Sequence, residues 1–86
     1  MTQIKSLTFD IGDMKEAARK ALESCMAYIT AYDNTDNEFE AKQAAISFGK
    51  AMVWLDMLAD IGIEYAEQDE HISSMIEIAD TFGLSD

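Results

Sequence analysis

Residues 51–82 have the sequence AMVWLDMLADIGIEYAEQDEHISSMIEIADTF, and this run indicates the fold class. Apolar residues recur in it at alternating spacings of three and four, which is typical of one face of a helix. They are Ala51, Trp54, Leu58, Ile61, Tyr65, Ile72, Met75, Ala79 and Phe82, and only Gln68 interrupts the series. The opposite face is acidic, because Asp and Glu residues occupy it and no Lys or Arg follows Lys50. The run therefore predicts an all-α protein with a strongly negative C-terminal half.

The charge is distributed unevenly over the 86 residues, which have a net charge of −11. Residues 1–50 contain eight acids and six bases, whereas residues 51–86 contain nine acids and no base. So negative a surface repels phosphate backbones and anionic lipids, which disfavours direct binding to nucleic acid or to a membrane. The apolar share of 49% is nevertheless enough for a folded chain, and we expect residues 1–86 to form one helical domain.

The single cysteine and the N-terminal residues indicate the compartment. Cys25 has no second cysteine with which to form a disulfide, and it falls on the apolar side of a predicted helix. This favours a buried thiol in a reducing environment. The N-terminus lacks the basic and apolar segments of a signal peptide, and no apolar run approaches the length needed to span a bilayer. We therefore expect a cytoplasmic protein.

The first half of the chain predicts an extended arm and two antiparallel helices. Within residues 1–12, the apolar Leu7, Phe9 and Ile11 alternate with polar residues, which favours an extended arm over 1–12, with a single helical turn as the alternative. A first helix is predicted over 13–33, with Asp13 as its N-cap. The polar run 33–37 predicts a tight turn, followed by a second helix over 38–61.

The second helix is apolar on two sides. One predicted seam contains Ala41, Ala45, Phe48, Met52, Leu55 and Ala59, and a second strip contains Ile46, Val53 and Met57. A helix that is apolar on more than one side is typical of a central position in a bundle.

Gly62 separates two possible architectures. If it ends the second helix in a left-handed conformation, with Ile63 folding back onto Leu58, a third helix follows over 64–82 and the fold is a small three-helix bundle. If the helix continues through Gly62, the fold is a helical hairpin with a long second arm of roughly 45 residues, which would need a partner subunit to cover it. We prefer the break, and we expect a homo-oligomer because the chain is rich in apolar residues for its size.

Metal-dependent chemistry has weak support in the sequence. Glu64, Glu67 and His71 share a helix face, but a di-metal bundle would need inward-facing glutamates and a Glu-x-x-His motif that this chain lacks. The pairs Glu64-x-x-Glu67 and Glu77-x-x-Asp80 are similar to the magnesium-binding pairs of all-α nucleoside triphosphate pyrophosphohydrolases. On one continuous helix, however, the two pairs would point about 220° apart. We predict no catalytic residue, cofactor or metal ligand, and a metal-dependent all-α hydrolase is the last alternative.

The acidic face is the remaining candidate site. If residues 56–70 are helical, Asp56, Asp60, Glu64, Glu67 and Glu70 form one charged row, with Trp54 and Tyr65 beside it as aromatic anchors. Our hypothesis is a small non-enzymatic regulatory protein whose acidic face binds a basic protein partner. One form of this hypothesis is an inhibitor that imitates nucleic acid, as small acidic proteins of phages and mobile elements do. The alternative function is a structural or assembly protein that acts as a homo-oligomer.

Overall fold

The computed structural model describes residues 10–84, and these residues form four helices and no strand. The helices are α1 (Ile11–Thr35), α2 (Glu38–Asp60), α3 (Tyr65–Gln68) and α4 (Glu70–Phe82). The all-α prediction is confirmed. Most of the predicted extended arm, residues 1–9, lies outside the described residues, whereas Ile11 and Gly12 already belong to α1.

The first helix begins earlier than the sequence predicts. Asp10, not Asp13, is the N-cap: its backbone is extended and its side chain accepts a hydrogen bond from the Gly12 amide at 3.1 Å. Asp13 lies in the first turn, where a negative charge interacts favourably with the positive end of the helix dipole. Met14 begins the buried stripe of α1, which continues through Ala18, Leu22, Cys25 and Ile29.

The turn between α1 and α2 is short, since only Asp36 and Asn37 separate the two helices. Asp36 takes the left-handed conformation, with φ of 56°, and its amide donates to the Tyr32 carbonyl at 2.7 Å. Asn37 then caps α2 by accepting a hydrogen bond from the Phe39 amide at 2.9 Å. So short a connection between two long, mutually packed helices requires them to be antiparallel, as predicted.

Gly62 breaks the second helix, and the alternative of a continuous long helix is wrong. Its φ of 86° is left-handed, which a glycine adopts without the steric cost of a Cβ. The Ile63 amide donates to the Leu58 carbonyl at 2.9 Å, and the Gly62 amide donates to the Ala59 carbonyl at the same distance. These two bonds define the predicted Schellman motif.

The region predicted as one third helix, 64–82, contains two helices. The single turn of α3 ends before Asp69, whose extended backbone separates it from α4. The Asp69 carboxylate accepts hydrogen bonds from the amides of His71 and Ile72, at 2.9 and 3.4 Å. Asp69 therefore acts as an N-cap that starts a new helix. The far end of α4 is closed by Gly83, with φ of 98°.

The core is built around α1. This helix packs against α2 along much of its length and against α4 more narrowly, whereas α3 contacts α2 and α4. The direction of α4 follows that of α1, since His71 lies beside Glu23 and Phe82 packs edge-on against Tyr32 further along. The central apolar cluster contains Ala18, Leu22, Cys25, Ile29, Ala44, Phe48, Ala51, Leu55, Ile72, Met75 and Ala79.

The predicted position of α2 at the centre of the bundle is wrong. Its buried side contains Ala44, Phe48, Ala51, Leu55 and Leu58, so the predicted seam is correct only in part, and Ala45 and Ala59 are exposed. The second strip of Ile46, Val53 and Met57 is exposed as well. Sequence periodicity finds both apolar sides of α2, but it does not show which of them a neighbouring helix covers.

Candidate protein-binding surfaces

The five predicted acidic residues lie where α2 ends and α4 begins, and we call them the acidic corner. The members are Asp56, Asp60, Glu64, Glu67 and Glu70. All five are exposed, and none forms an ion pair within residues 10–84. They do not form the predicted row on one helix, because the chain leaves helical geometry at residues 61–64 and again at Asp69. The regular spacing along one axis is therefore absent, although the exposed negative charge remains.

Two basic residues of α1 pair with acids of their own helix and do not neutralise this corner. Arg19 is 3.0 Å from Glu23 and 3.5 Å from Glu16, and Lys20 is 3.4 Å from Glu16. The pKa of Arg19 is raised by its hydrogen bond to Glu23 and by the charge of that carboxylate. Exposed pairs of this kind add little stability, but they leave α1 nearly neutral beside a negative C-terminal half.

Trp54 and Tyr65, the predicted aromatic anchors, are half-buried and pack against the core. Lys15 Nζ lies 5.3 Å from the centre of the Tyr65 ring, a cation–π contact. Burial raises the pKa of the Tyr65 hydroxyl, and the nearby charge of Asp69 raises it further. Both rings therefore take part in the packing of this chain, and only part of each remains accessible to a partner.

The three residues considered as metal ligands, Glu64, Glu67 and His71, do not share one helix face. Glu64 immediately precedes α3 and Glu67 lies in it, whereas His71 lies on α4 with its Nε2 atom 3.9 Å from the Glu23 carboxylate on α1. No group of three or more His, Cys, Asp or Glu side chains in the described part of the chain is arranged to hold a metal ion. Because Asp69 separates α3 from α4, the angle of about 220° between the two acidic pairs, which holds for one continuous helix, does not apply.

Cys25 is buried, as predicted. Removal of the thiol from water raises its pKa, because burial disfavours the thiolate. A buried neutral thiol is a poor nucleophile, and the only histidine of the chain, His71, is exposed on the surface of α4.

A groove between α1 and α4 combines a concave shape with negative charge. It consists of two adjoining hollows of about 630 and 390 Å³ that share Ile29, Asp33 and Ile78. We call it the α1–α4 groove. It is lined by Glu23, Met26, Ile29, Thr30, Asp33, His71, Ser74, Met75, Glu77, Ile78, Thr81 and Phe82.

The lining of the α1–α4 groove divides into apolar and charged side chains. Met26, Ile29, Met75 and Ile78 are apolar, and Ile78 is still 49% exposed. The charged members are Glu23, Asp33 and Glu77, and no Lys or Arg of residues 10–84 lines either hollow. Methionine side chains adapt to varied partner shapes, and an apolar groove bordered by acids fits an amphipathic helix with basic flanks.

The sequence pattern does not predict this groove, although two apolar residues at unusual helix positions are a partial signal of it. Met26 and Ile78 lie just off the predicted stripes of their helices, at positions that an amphipathic helix would normally give to polar residues. Two such residues on different helices become informative only once the packing of α1 against α4 is known.

Comparison of the chain with protein-family models, curated protein sequences and solved structures finds no match. None of the helices in residues 10–84 combines the length and hydropathy required to span a bilayer. The fold and surfaces thus define a small all-α protein, and its function has to be inferred from the chemistry of those surfaces.

Proposed function

We propose that this protein is a small, non-enzymatic regulatory protein that binds a basic amphipathic helix of a partner protein in the α1–α4 groove. The observation that supports the proposal most strongly is the combination in one groove of an apolar lining with carboxylates, without a Lys or Arg from the described part of the chain. The apolar lining would bury the hydrophobic side of the helix, and the carboxylates would pair with flanking Lys or Arg residues.

The dimensions of α4 limit the size of the bound segment. From His71 to Phe82 the helix extends about 16 Å, or roughly three turns. A partner helix of this length would place apolar residues at spacings of three and four against Ile29, Met75 and Ile78. Flanking cations would then lie beside Asp33 and Glu77, neither of which forms an ion pair within residues 10–84.

The acidic corner extends the negative surface beyond the groove. Glu70, the last member of the corner, directly precedes His71 in the groove lining. A basic extension of the bound helix would therefore meet further carboxylates, which would raise the rate of association more than the final affinity. We do not extend the proposal to an inhibitor that imitates nucleic acid, because that hypothesis depended on acidic residues spaced regularly along one helix.

Calorimetric titration with a designed 14-residue peptide, about four turns long, tests this proposal. The peptide has leucines on one face and lysines on the flanks, and a control peptide has glutamates in place of the lysines. We expect only the lysine peptide to bind. We also expect Asp33→Asn combined with Glu77→Gln to weaken its binding about tenfold, from two charge pairs of up to about 1 kcal/mol each.

A charge-matched variant separates the groove from the acidic corner. Asp56→Asn combined with Asp60→Asn also removes two negative charges, but from exposed positions of α2. We expect this variant to weaken binding by less than about threefold, since its charges lie outside the groove and are screened by salt. Equal losses in both variants, or a loss confined to the second, would refute the groove as the binding site.

A further inference from the structure

A second apolar surface lies on the side of α2 that faces away from the core. Its members are Phe39, Ile46, Val53 and Met57, which are exposed to 60%, 51%, 58% and 36%. We call them the α2 strip. Ile46 points about 160° round the helix axis from the buried Phe48, and the strip extends about 27 Å. Isolated exposed apolar residues are common, but four large ones in line on a single helix indicate an interface.

The spacing of the α2 strip indicates the kind of occupant. Phe39, Gln43, Ile46, Lys50, Val53 and Met57 follow one another at intervals of four, three, four, three and four residues. This alternation is the seam of a coiled coil, in which a second helix of similar length packs along the first. The two polar members, Gln43 and Lys50, are of the kind that fix register and orientation in such a pair.

We infer that the α2 strip binds the α2 strip of a second copy of this chain in an antiparallel, two-fold symmetric pair. In the register that places Ile46 against Val53 of the second copy, the numbers of facing residues add up to about 99. Lys42 then lies opposite residues 56–60 of the second copy, which include Asp56 and Asp60. The two-fold symmetry repeats this complementary contact at the other end of the paired helices.

Charge excludes the parallel arrangement. Parallel pairing in register would bring Lys50 against Lys50 and Asp60 against Asp60, and like charges that face each other are destabilising. The antiparallel pair instead places Lys50 opposite Gly49 of the second copy. A Cβ at Gly49 would meet no described atom within 4 Å in the monomer, so the position offers room for the lysine stem. Antiparallel helix dipoles also attract each other weakly.

Light scattering and sedimentation of the full chain across a concentration series test the inference. We expect a monomer–dimer equilibrium, and we expect Val53→Glu to raise the dissociation constant at least about thirtyfold, because it places a carboxylate in the apolar seam. Ala45→Glu is the matched control, since Ala45 is exposed on α2 but outside the strip. A wild-type protein that stays monomeric, or equal effects of the two variants, would overturn the inference.

Charge reversal provides a test that does not depend on the fold of Val53→Glu. Lys42→Asp is expected to raise the dissociation constant about tenfold, and adding Asp56→Lys and Asp60→Lys in the same chain is expected to restore dimerisation. Absence of rescue would refute the register.

Orientation is tested by oxidising a mixture of two single variants, Ile46→Cys and Val53→Cys. Antiparallel pairing gives mainly mixed disulfides that join one variant to the other. Parallel pairing instead joins each variant to a second copy of itself, and that result would overturn the inference. Cys25 is buried, so it does not compete in the native protein. This dimerisation does not depend on the proposed peptide groove, so either can fail alone.

Discussion

The α1–α4 groove and the α2 strip are both apolar surfaces on one small fold, yet their charged neighbours differ. The charged residues that line the groove are the acids Glu23, Asp33 and Glu77. Lys50 lies in line with the strip, and Lys42 and Asp60 lie beside it. An apolar surface with charges of one sign is complementary to a different molecule, whereas one with both signs can be complementary to itself in reverse orientation.

The difference arises from the uneven charge of the chain. All five basic residues of the described region lie on α1 and α2, and α4 has none. A surface that includes α4 is therefore acidic, whereas a surface made by α2 alone has both signs. The type of partner thus follows from where the bases occur along the sequence.

The largest expected effect comes from the core that both surfaces share. Leu22 is fully buried in α1 and belongs to the central apolar cluster. Leu22→Ala should lower the free energy of unfolding by about 3 kcal/mol, from lost burial and the cavity left behind. Urea unfolding followed by circular dichroism, at concentrations below dimerisation, measures this. Val53→Ala, on the exposed strip, should cost less than about 1 kcal/mol, and equal costs would show that the core is placed wrongly.

The N-caps of α4 and α2 offer a way to weaken one surface at a time. Asp69→Ala removes the carboxylate that accepts from the His71 and Ile72 amides, and it should cost about 1 kcal/mol. Asn37→Ala removes the corresponding cap of α2, at a similar cost. We expect the first variant to weaken peptide binding more than dimerisation and the second to do the reverse. Calorimetry and sedimentation on both variants measure the two effects, and identical profiles would contradict the separation.

Glycine substitutions at the end and in the middle of α2 are expected to have opposite effects on stability. Gly62→Ala should destabilise the fold by about 1 kcal/mol, because its φ of 86° is unfavourable for a residue with a Cβ. Gly49→Ala should instead stabilise the monomer by up to about 1 kcal/mol, since Gly49 is helical and its Cβ position is open. Thermal unfolding of both variants gives the two signs, and a loss of stability in Gly49→Ala would contradict the structure.

The sequence predicts the helical class, a turn within 33–37 and the left-handed break at Gly62 because each depends on local chemistry, although α1 continues to Thr35, two residues beyond its predicted end. It does not predict that Asp69 divides the third helix, since a capping aspartate and an exposed helical aspartate look alike until the backbone conformation is known. It also finds both apolar sides of α2 without showing which is covered, because that depends on how the helices pack together. The sequence does not predict the candidate groove either, because its lining residues lie on two helices that are far apart in the chain.

The smallest expected effect is a decrease in stability at alkaline pH, because of Cys25. Burial raises the pKa of this thiol in the folded state, so between the unfolded pKa of about 8.5 and the folded pKa the unfolded chain binds fewer protons than the folded one. Stability is then fully present below the unfolded pKa and decreases as the pH rises above it. Urea unfolding at a series of pH values should show this slope in the wild type and a shallower one in Cys25→Val, which has no thiol to ionise. Tyr65→Phe is the matched control, because the raised pKa of Tyr65 adds a slope of the same sign nearer pH 10. An unchanged slope in Cys25→Val would contradict the burial of this thiol in the central apolar cluster that underlies both surfaces.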